Sequence, residues 1–234
     1  YVGYRYFETF AKDKVQFPFG YGLSYTTFEK ELVSYDIGED VITIDVKVTN
    51  TGDVAGKETV QIYYSAPYTK GGIEKSAICL GGYGKTGMLK PNESETVKVE
   101  VKISDMMSYD KDNLEAWILE KGDYKIILGE NVREHLDSFT YTVKEDVVVK
   151  EDSVSGNEIK NLFDFAYSGF TILSRNDIEN TYPVARQLTA TEDILNPDKL
   201  PEPITEGEAP KTGVKYEETI MLQDVYENPG LMDA

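Results

Sequence analysis

Asp and Glu supply most of the reactive groups in this chain: 42 carboxylates stand against 24 Lys and Arg and one histidine among 234 residues. Two carboxylates held about 5–10 Å apart across a cleft can divide acid and base work between them, as in glycoside hydrolysis. With so many available, finding a pair is no signal, and no motif singles one out. The only histidine, His135, leaves a Ser-His-Asp scheme no choice of base and allows no His-rich metal site. The one cysteine, Cys79, excludes an internal disulfide and any multi-Cys zinc site, and in the apolar run Ile78-Cys79-Leu80 it reads as core. Gly71-Gly72 and Gly81-Gly82-Tyr83-Gly84 could suggest a phosphate cradle. No helix pattern follows either, so both read as loops. Asn92-Glu93-Ser94 fits a glycosylation sequon placed in a turn. Of the 17 tyrosines, Tyr64, Tyr124 and Tyr141 alternate into strand patterns, whereas Tyr63, Tyr68 and Tyr83 are candidates for an exposed platform on which a sugar could stack. None of these groups implies a cofactor or a metal.

The formal net charge is -18. Such an acidic chain is a poor partner for nucleic acid, whose phosphates need clustered Lys and Arg, and for anionic membrane surfaces. No run approaches the roughly 18 apolar residues of a membrane-spanning helix. Tyr1-Val2-Gly3-Tyr4 has neither the basic nor the apolar region of a secretory leader, and the chain reads as a piece of something longer. The single cysteine and the lack of a leader favour a cytoplasmic location.

The elements that must position these residues are mostly strands. Ile42, Ile44, Val46 and Val48 alternate with Thr43, Asp45, Lys47 and Thr49, the period of a half-buried strand. Val97, Val99, Val101 and Ile103 repeat the pattern, as do Val60, Ile62 and Tyr64, and Phe139, Tyr141 and Val143. Tyr124, Ile126 and Leu128 form a further candidate, with others near 28–35 and 76–81. Asn50-Thr51-Gly52, Lys90-Pro91-Asn92 and Lys121-Gly122-Asp123 supply turns between them. About seven short strands over about 120 residues predict an immunoglobulin-like β-sandwich whose outer faces are wet. Val46, Val48, Ile62, Val99 and Val101 should share its core.

The chain changes character in the charged stretch from Lys144 to Asp152. Residues 145–234 carry 19 Asp and Glu against 7 Lys and Arg, and six of the nine prolines lie beyond residue 182. Ser155-Gly156-Asn157-Glu158 resembles a capping box, and Ile159, Leu162, Phe163 and Ala166 follow at helical spacing. Thr189-Ala190-Thr191-Glu192 is a weaker second box. Four prolines between 197 and 210 leave little to bury, and Leu222, Val225 and Tyr226 read as anchors on another surface.

One run stands apart from this pattern: Phe17-Pro18-Phe19-Gly20-Tyr21-Gly22-Leu23-Ser24-Tyr25-Thr26-Thr27-Phe28. With Gly3-Tyr4-Arg5-Tyr6-Phe7 before it, this run resembles the domain junction of family 3 glycoside hydrolases, the β-glucosidase family. The likeness continues through Val48-Thr49-Asn50-Thr51-Gly52-Asp53-Val54-Ala55-Gly56-Lys57-Glu58, then Gln61-Ile62-Tyr63-Tyr64-Ser65-Ala66-Pro67. Leu89-Lys90-Pro91-Asn92-Glu93-Ser94 also fits, with Asn92 where the family has Gly; Asn tolerates the left-handed conformation that such a turn needs. Ser108-Tyr109-Asp110 and Gly122-Asp123-Tyr124 match its closing strands, and Leu173-Ser174-Arg175 through Pro183 resembles the linker of members with permuted domain order.

The resemblance implies that residues 1–24 end an α/β sandwich domain, with Phe17 to Tyr25 as the junction. It implies a fibronectin type III-like sandwich over 25–145, and over 146–234 an extended, partly helical linker towards a (β/α)8 barrel. The family's nucleophile is an Asp in a Ser-Asp-Trp motif on the barrel, but the only tryptophan here, Trp117, follows Glu115-Ala116. The family's acid/base Glu belongs to the preceding domain. The resemblance therefore carries no catalytic residue onto this sequence, and no cofactor. It implies a structural module that holds two catalytic domains of a terminal β-glucoside hydrolase, its partners being those domains. A free-standing carbohydrate-binding module, with an oligosaccharide as its partner, is the alternative.

Overall fold

The computed structural model describes residues 1–160 and 172–182. A short helix α1 (Tyr4–Phe10) precedes ten strands: β1 (Phe28–Ile37), β2 (Val41–Asn50), β3 (Thr59–Ser65), β4 (Cys79–Lys85), β5 (Ser94–Lys102), β6 (Ser108–Asp110), β7 (Ala116–Leu119), β8 (Gly122–Gly129), β9 (His135–Val143) and β10 (Val147–Val149). A one-turn helix α2 (Ile178–Thr181) follows. The strands form an antiparallel sheet ordered β1-β2-β5, a second ordered β4-β3-β8-β9, and a small third ordered β10-β7-β6.

Alternation places the core between the first two sheets. Ile42, Ile44 and Val46 of β2 stand opposite Val101, Val99 and Val97 of β5, all inward and buried. Ile62 and Tyr64 of β3 face them beside Leu128 and Ile126 of β8. Val46, Val48, Ile62, Val99 and Val101 thus share one core, as the sequence predicts.

Three expectations require correction. Gly81 to Gly84 are not a loop but lie in β4, at a bulge that shifts the register between Ile62 and Tyr63. Their lack of side chains is what lets β4 lean on β5 and close that side of the sandwich. A Cβ on Gly82 would lie 2.5 Å from Glu100 O and 2.9 Å from Val99 Cγ1, and one on Gly84 2.5 Å from Val97 Cγ1.

Nor are both outer faces wet. β3 and the second half of β8, from Ile126 to Gly129, are buried on both sides, because Tyr63 and Ile127 face a second cluster with Ile78 and Val132, covered by Tyr4.

Ser155 does not cap a helix. The Asp152 carboxylate accepts Ser155 N–H at 2.7 Å and Val154 N–H at 3.2 Å, and Gly156 adopts φ +69°. The chain turns back there, so that Glu151 bridges Glu158 and Ile159 N–H donates to Lys150 O at 2.7 Å. The Asp152 carboxylate takes the Ser155 N–H that Glu158 would accept in a capping box, and the turn wins. The other expected helix residues, Leu162, Phe163 and Ala166, lie outside the described residues, as do Thr189 to Glu192 and Leu222, Val225 and Tyr226. Asn92 takes φ +65°, the conformation expected of it.

Val99, 1% exposed in this core, has no partner for a charge. Val99→Asp should lower the unfolding free energy by about 3 kcal/mol or more in urea titration. Gly82→Ala should cost about 1–3 kcal/mol through overpacking against the Glu100 backbone. A loss below about 0.5 kcal/mol for either, the range of ordinary surface changes, would contradict the register.

Candidate functional site

The segment before β1 is fixed to the outer face of the four-stranded sheet by backbone, aromatic and charged contacts. In α1, Tyr4 and Glu8 fall four residues apart and so on one helix face. The Tyr4 ring stacks on Phe19 with centroids 4.1 Å apart, and Phe19 meets Tyr63 edge-on at 6.5 Å. The Tyr4 hydroxyl accepts the Leu80 N–H at 2.7 Å, engaging the edge strand β4. Glu8 is 2% exposed, and its carboxylate takes two bonds from Arg133 Nε at 2.9 and 3.1 Å. Arg133 also donates to Lys12 O at 3.0 Å, and its guanidinium is held more firmly protonated by Glu8.

Of the junction Phe17-Pro18-Phe19-Gly20-Tyr21-Gly22-Leu23-Ser24-Tyr25, the stretch from Pro18 to Tyr21 is held by its backbone, and Phe17, Tyr21, Leu23 and Tyr25 turn outward. Phe19 O accepts Val132 N–H at 3.0 Å and Gly20 O accepts Gln61 Nε2 at 3.1 Å. The same Gln61 amide donates to Glu130 O at 3.1 Å, while its oxygen accepts the Tyr63 hydroxyl at 2.6 Å. Gly20 sits at φ +82°, and a Cβ there would fall 2.0 Å from Gln61 Oε1. Pro18 O closes a turn by accepting Tyr21 N–H at 3.0 Å. Ser24 Oγ accepts Thr26 N–H at 3.3 Å. Leu23 is 88% exposed and Tyr25 fully exposed.

Beside the junction runs a groove of roughly 760 Å³, lined by Tyr21, Leu23, Tyr83 and Lys85 among others. Two carboxylates on its wall, Glu58 and Glu130, are bound to one cation: Lys30 Nζ lies 2.9 Å from Glu58 and 2.8 Å from Glu130. That pairing suits them to joining the sheets rather than to moving protons. Asn131, 2% exposed, shapes the adjoining turn by accepting the N–H groups of Arg133 and Glu134 at 2.9 and 3.0 Å. At the end of β2, opposite Phe28, Asn50 uses all its bonding positions. It accepts Thr26 Oγ1 and Gly52 N–H, and donates to Val54 O and Leu89 O, at 2.7–3.1 Å.

The three tyrosines considered for a sugar platform do not come together. Tyr63 is fully buried, because β3 is interior to its sheet and the leading segment covers it. Burial pushes its phenol far up, with Tyr4 and Glu8 adding to the shift, so it stays a neutral donor. Tyr68 is half-buried beneath the Arg175 guanidinium, 4.0 Å from its ring centroid. Only Tyr83, 72% exposed, lies open at the groove. Sequence reasoning missed Glu8, Lys30, Gln61 and Arg133. One signal was present: Lys30 shares the parity of Phe28 and Leu32, so alternation already points this lysine inward.

Residues 58–132 match the family model described as a fibronectin type III-like domain. β-Glucosidase A of Butyrivibrio fibrisolvens is 45% identical over 174 residues, covering 65% of this chain and 21% of that protein. A β-glucosidase of Ruminococcus albus is 45% identical over 155 residues, covering 64% of this chain and 16% of its own length. Among solved structures, a β-glucosidase from Paenibacillus barengoltzii superposes with TM-score 0.59 at 41% identity, over 64% of this chain and 17% of that one. β-Glucosidase 3B from Thermotoga neapolitana, solved with α-D-glucose, gives 0.57 at 38% identity, over 64% and 20%. The chain spans about a fifth of the length of these relatives, or less.

If the junction backbone sets its geometry, Gly20→Ala should cost about 1–3 kcal/mol through left-handed strain and overlap with Gln61. It should also speed hydrogen exchange at the Val132 amide. Unchanged stability together with an unchanged Val132 rate would mean that Gln61 does not hold the junction.

Proposed function

We propose that this chain, which carries the fibronectin type III-like region of family 3 β-glucosidases, is a non-catalytic structural module of such an enzyme. Residues 1–24 finish a preceding α/β sandwich domain, 25–145 form the module, and 146–234 lead towards a (β/α)8 barrel. The parent hydrolyses terminal β-glucosides, and the module holds its two catalytic domains together. The observation that carries this reading is the junction: an outward-facing apolar row whose first part, Pro18 to Tyr21, is held by bonded backbone. The Phe17 and Tyr21 rings meet at 5.1 Å, and exposed apolar side chains grouped in this way mark a protein contact. The short share of each relative that the chain covers supports flanking domains.

Two measurements test it. The purified chain should not turn over an aryl β-glucoside; turnover abolished by one carboxylate substitution within it would overturn the reading. In the whole enzyme, Leu23→Asp with Tyr25→Asp should lower stability and activity while leaving unfolding of the isolated chain within about 0.5 kcal/mol, as for other exposed sites. An unaffected whole enzyme would count against the junction as a contact. The carbohydrate-binding alternative retains Tyr83 alone of its three tyrosines. Cellooligosaccharide titration of the chain should show no saturation, and saturation lost in Tyr83→Ala would favour that alternative.

A further inference from the structure

Glu74 lies in the loop between β3 and β4, and two stretches of chain far from it in sequence meet at its carboxylate. From the leading segment, the Tyr1 hydroxyl donates to Glu74 Oε2 and lies 3.1 Å from Lys75 O. From the segment beyond the β10 hairpin, the Ser174 hydroxyl donates to Glu74 Oε1, and the Arg175 N–H donates to Oε2 at 3.0 Å. Arg175 Nη1 reaches the same Lys75 carbonyl at 3.0 Å, and its guanidinium covers Tyr68. The Tyr1 ring packs edge-on against Phe10 at the end of α1, 4.7 Å between centroids. The later segment has its own order: Ser174 N–H donates to Thr181 Oγ1 at 2.9 Å, and the Asp177 carboxylate caps α2 by accepting Asn180 N–H at 3.3 Å.

We propose that Glu74 is a shared latch that couples the segment leading into the sandwich to the segment leaving it, so that loosening one loosens the other. A free glutamate side chain must lose rotamer freedom to accept any of these donors. Whichever segment docks first fixes the carboxylate and Lys75 O, and the second then meets acceptors already in place. Such coupling is reciprocal: each segment must stabilise the other by the same factor. The inference concerns this chain alone and stands or falls whatever domains flank it.

Hydrogen exchange on the full 234-residue chain tests it at amides that do not touch Glu74. Ala11 N–H, bonded to Phe7 O, and Leu80 N–H, bonded to Tyr4, report on the leading segment. Ser174 and Tyr182 N–H report on the leaving one. Ser174→Ala, which removes a side-chain donor to Glu74, should speed exchange at Ala11 and Leu80 by about five-fold or more, and Tyr1→Phe should do the same at Ser174 and Tyr182. In a Glu74→Ala background both cross-effects should vanish. Variants that each speed exchange only in their own segment would overturn the proposal, and so would a cross-effect that survives Glu74→Ala. The amides of β2 and β8 serve as the control for global unfolding. Should Ser174→Ala disturb them, Arg175→Ala, which loosens the leaving segment through Lys75 O and Tyr68, is judged by the same two outcomes.

Discussion

A lysine with almost no exposed side-chain surface sets the geometry of one end of this domain. Lys30 projects inward from the first sheet, and its ammonium sits between Glu58, at the start of β3, and Glu130, just after β8. Desolvating an ion costs several kcal/mol, and two charge-assisted bonds return roughly 1.5–3 kcal/mol each. These magnitudes nearly cancel, so the arrangement is worth little as stabilisation. What it fixes is position: the turn that begins at Glu130 is tied to the opposite sheet. Part of what holds the leading segment hangs on that turn. Glu130 O takes Gln61, Val132 N–H takes Phe19 O, and Arg133 takes Glu8.

The leading segment is therefore part of the fold rather than an appendage to it. An exposed sandwich face would leave Tyr63 and Ile127 in water; here Tyr4 and Phe19 cover that face, and Val132 fills the space between. Burying such side chains is worth roughly 1.5–3 kcal/mol apiece before ordering entropy is counted. The same cover buries Gln61 and Tyr63, whose polar groups bond each other and the junction backbone. A satisfied polar pair admits one register of the junction, which an apolar contact alone would not select.

This division explains what was legible beforehand. The core strands announce themselves because each buries one face, and Ile42, Ile44, Val46 and Val48 must then alternate. The junction run was readable as a resemblance, and Asn92 through the known tolerance of Asn for left-handed φ. The closing contact of β4 was not, because glycine in a sequence looks the same whether it frees a loop or lets two backbones approach. Tyr63 was misplaced because alternation assumes a wet outer face, and β3 has none. The pairs Lys30–Glu130 and Glu8–Arg133 join residues 100 and 125 positions apart. Among 42 carboxylates, no local pattern marks which ones will be chosen.

The outward row of the junction differs from an accidental patch in one physical respect. Apolar side chains on a loose loop must be ordered when they dock, and that ordering opposes binding by about 0.5–1.5 kcal/mol for each immobilised side chain, with the backbone adding more. Here the backbone from Pro18 to Gly20 is already bonded to Gln61, Val132 and its own turn, so that stretch's share of the loss is borne during folding. Charge cannot do the same work. The chain carries -18 overall, and fields between exposed groups fade within about 8–10 Å at ordinary ionic strength. A pre-ordered stretch with uncharged neighbours therefore suits a contact of one orientation. Leu23 and Tyr25, the most exposed members of that row, are the side chains with most surface left to bury.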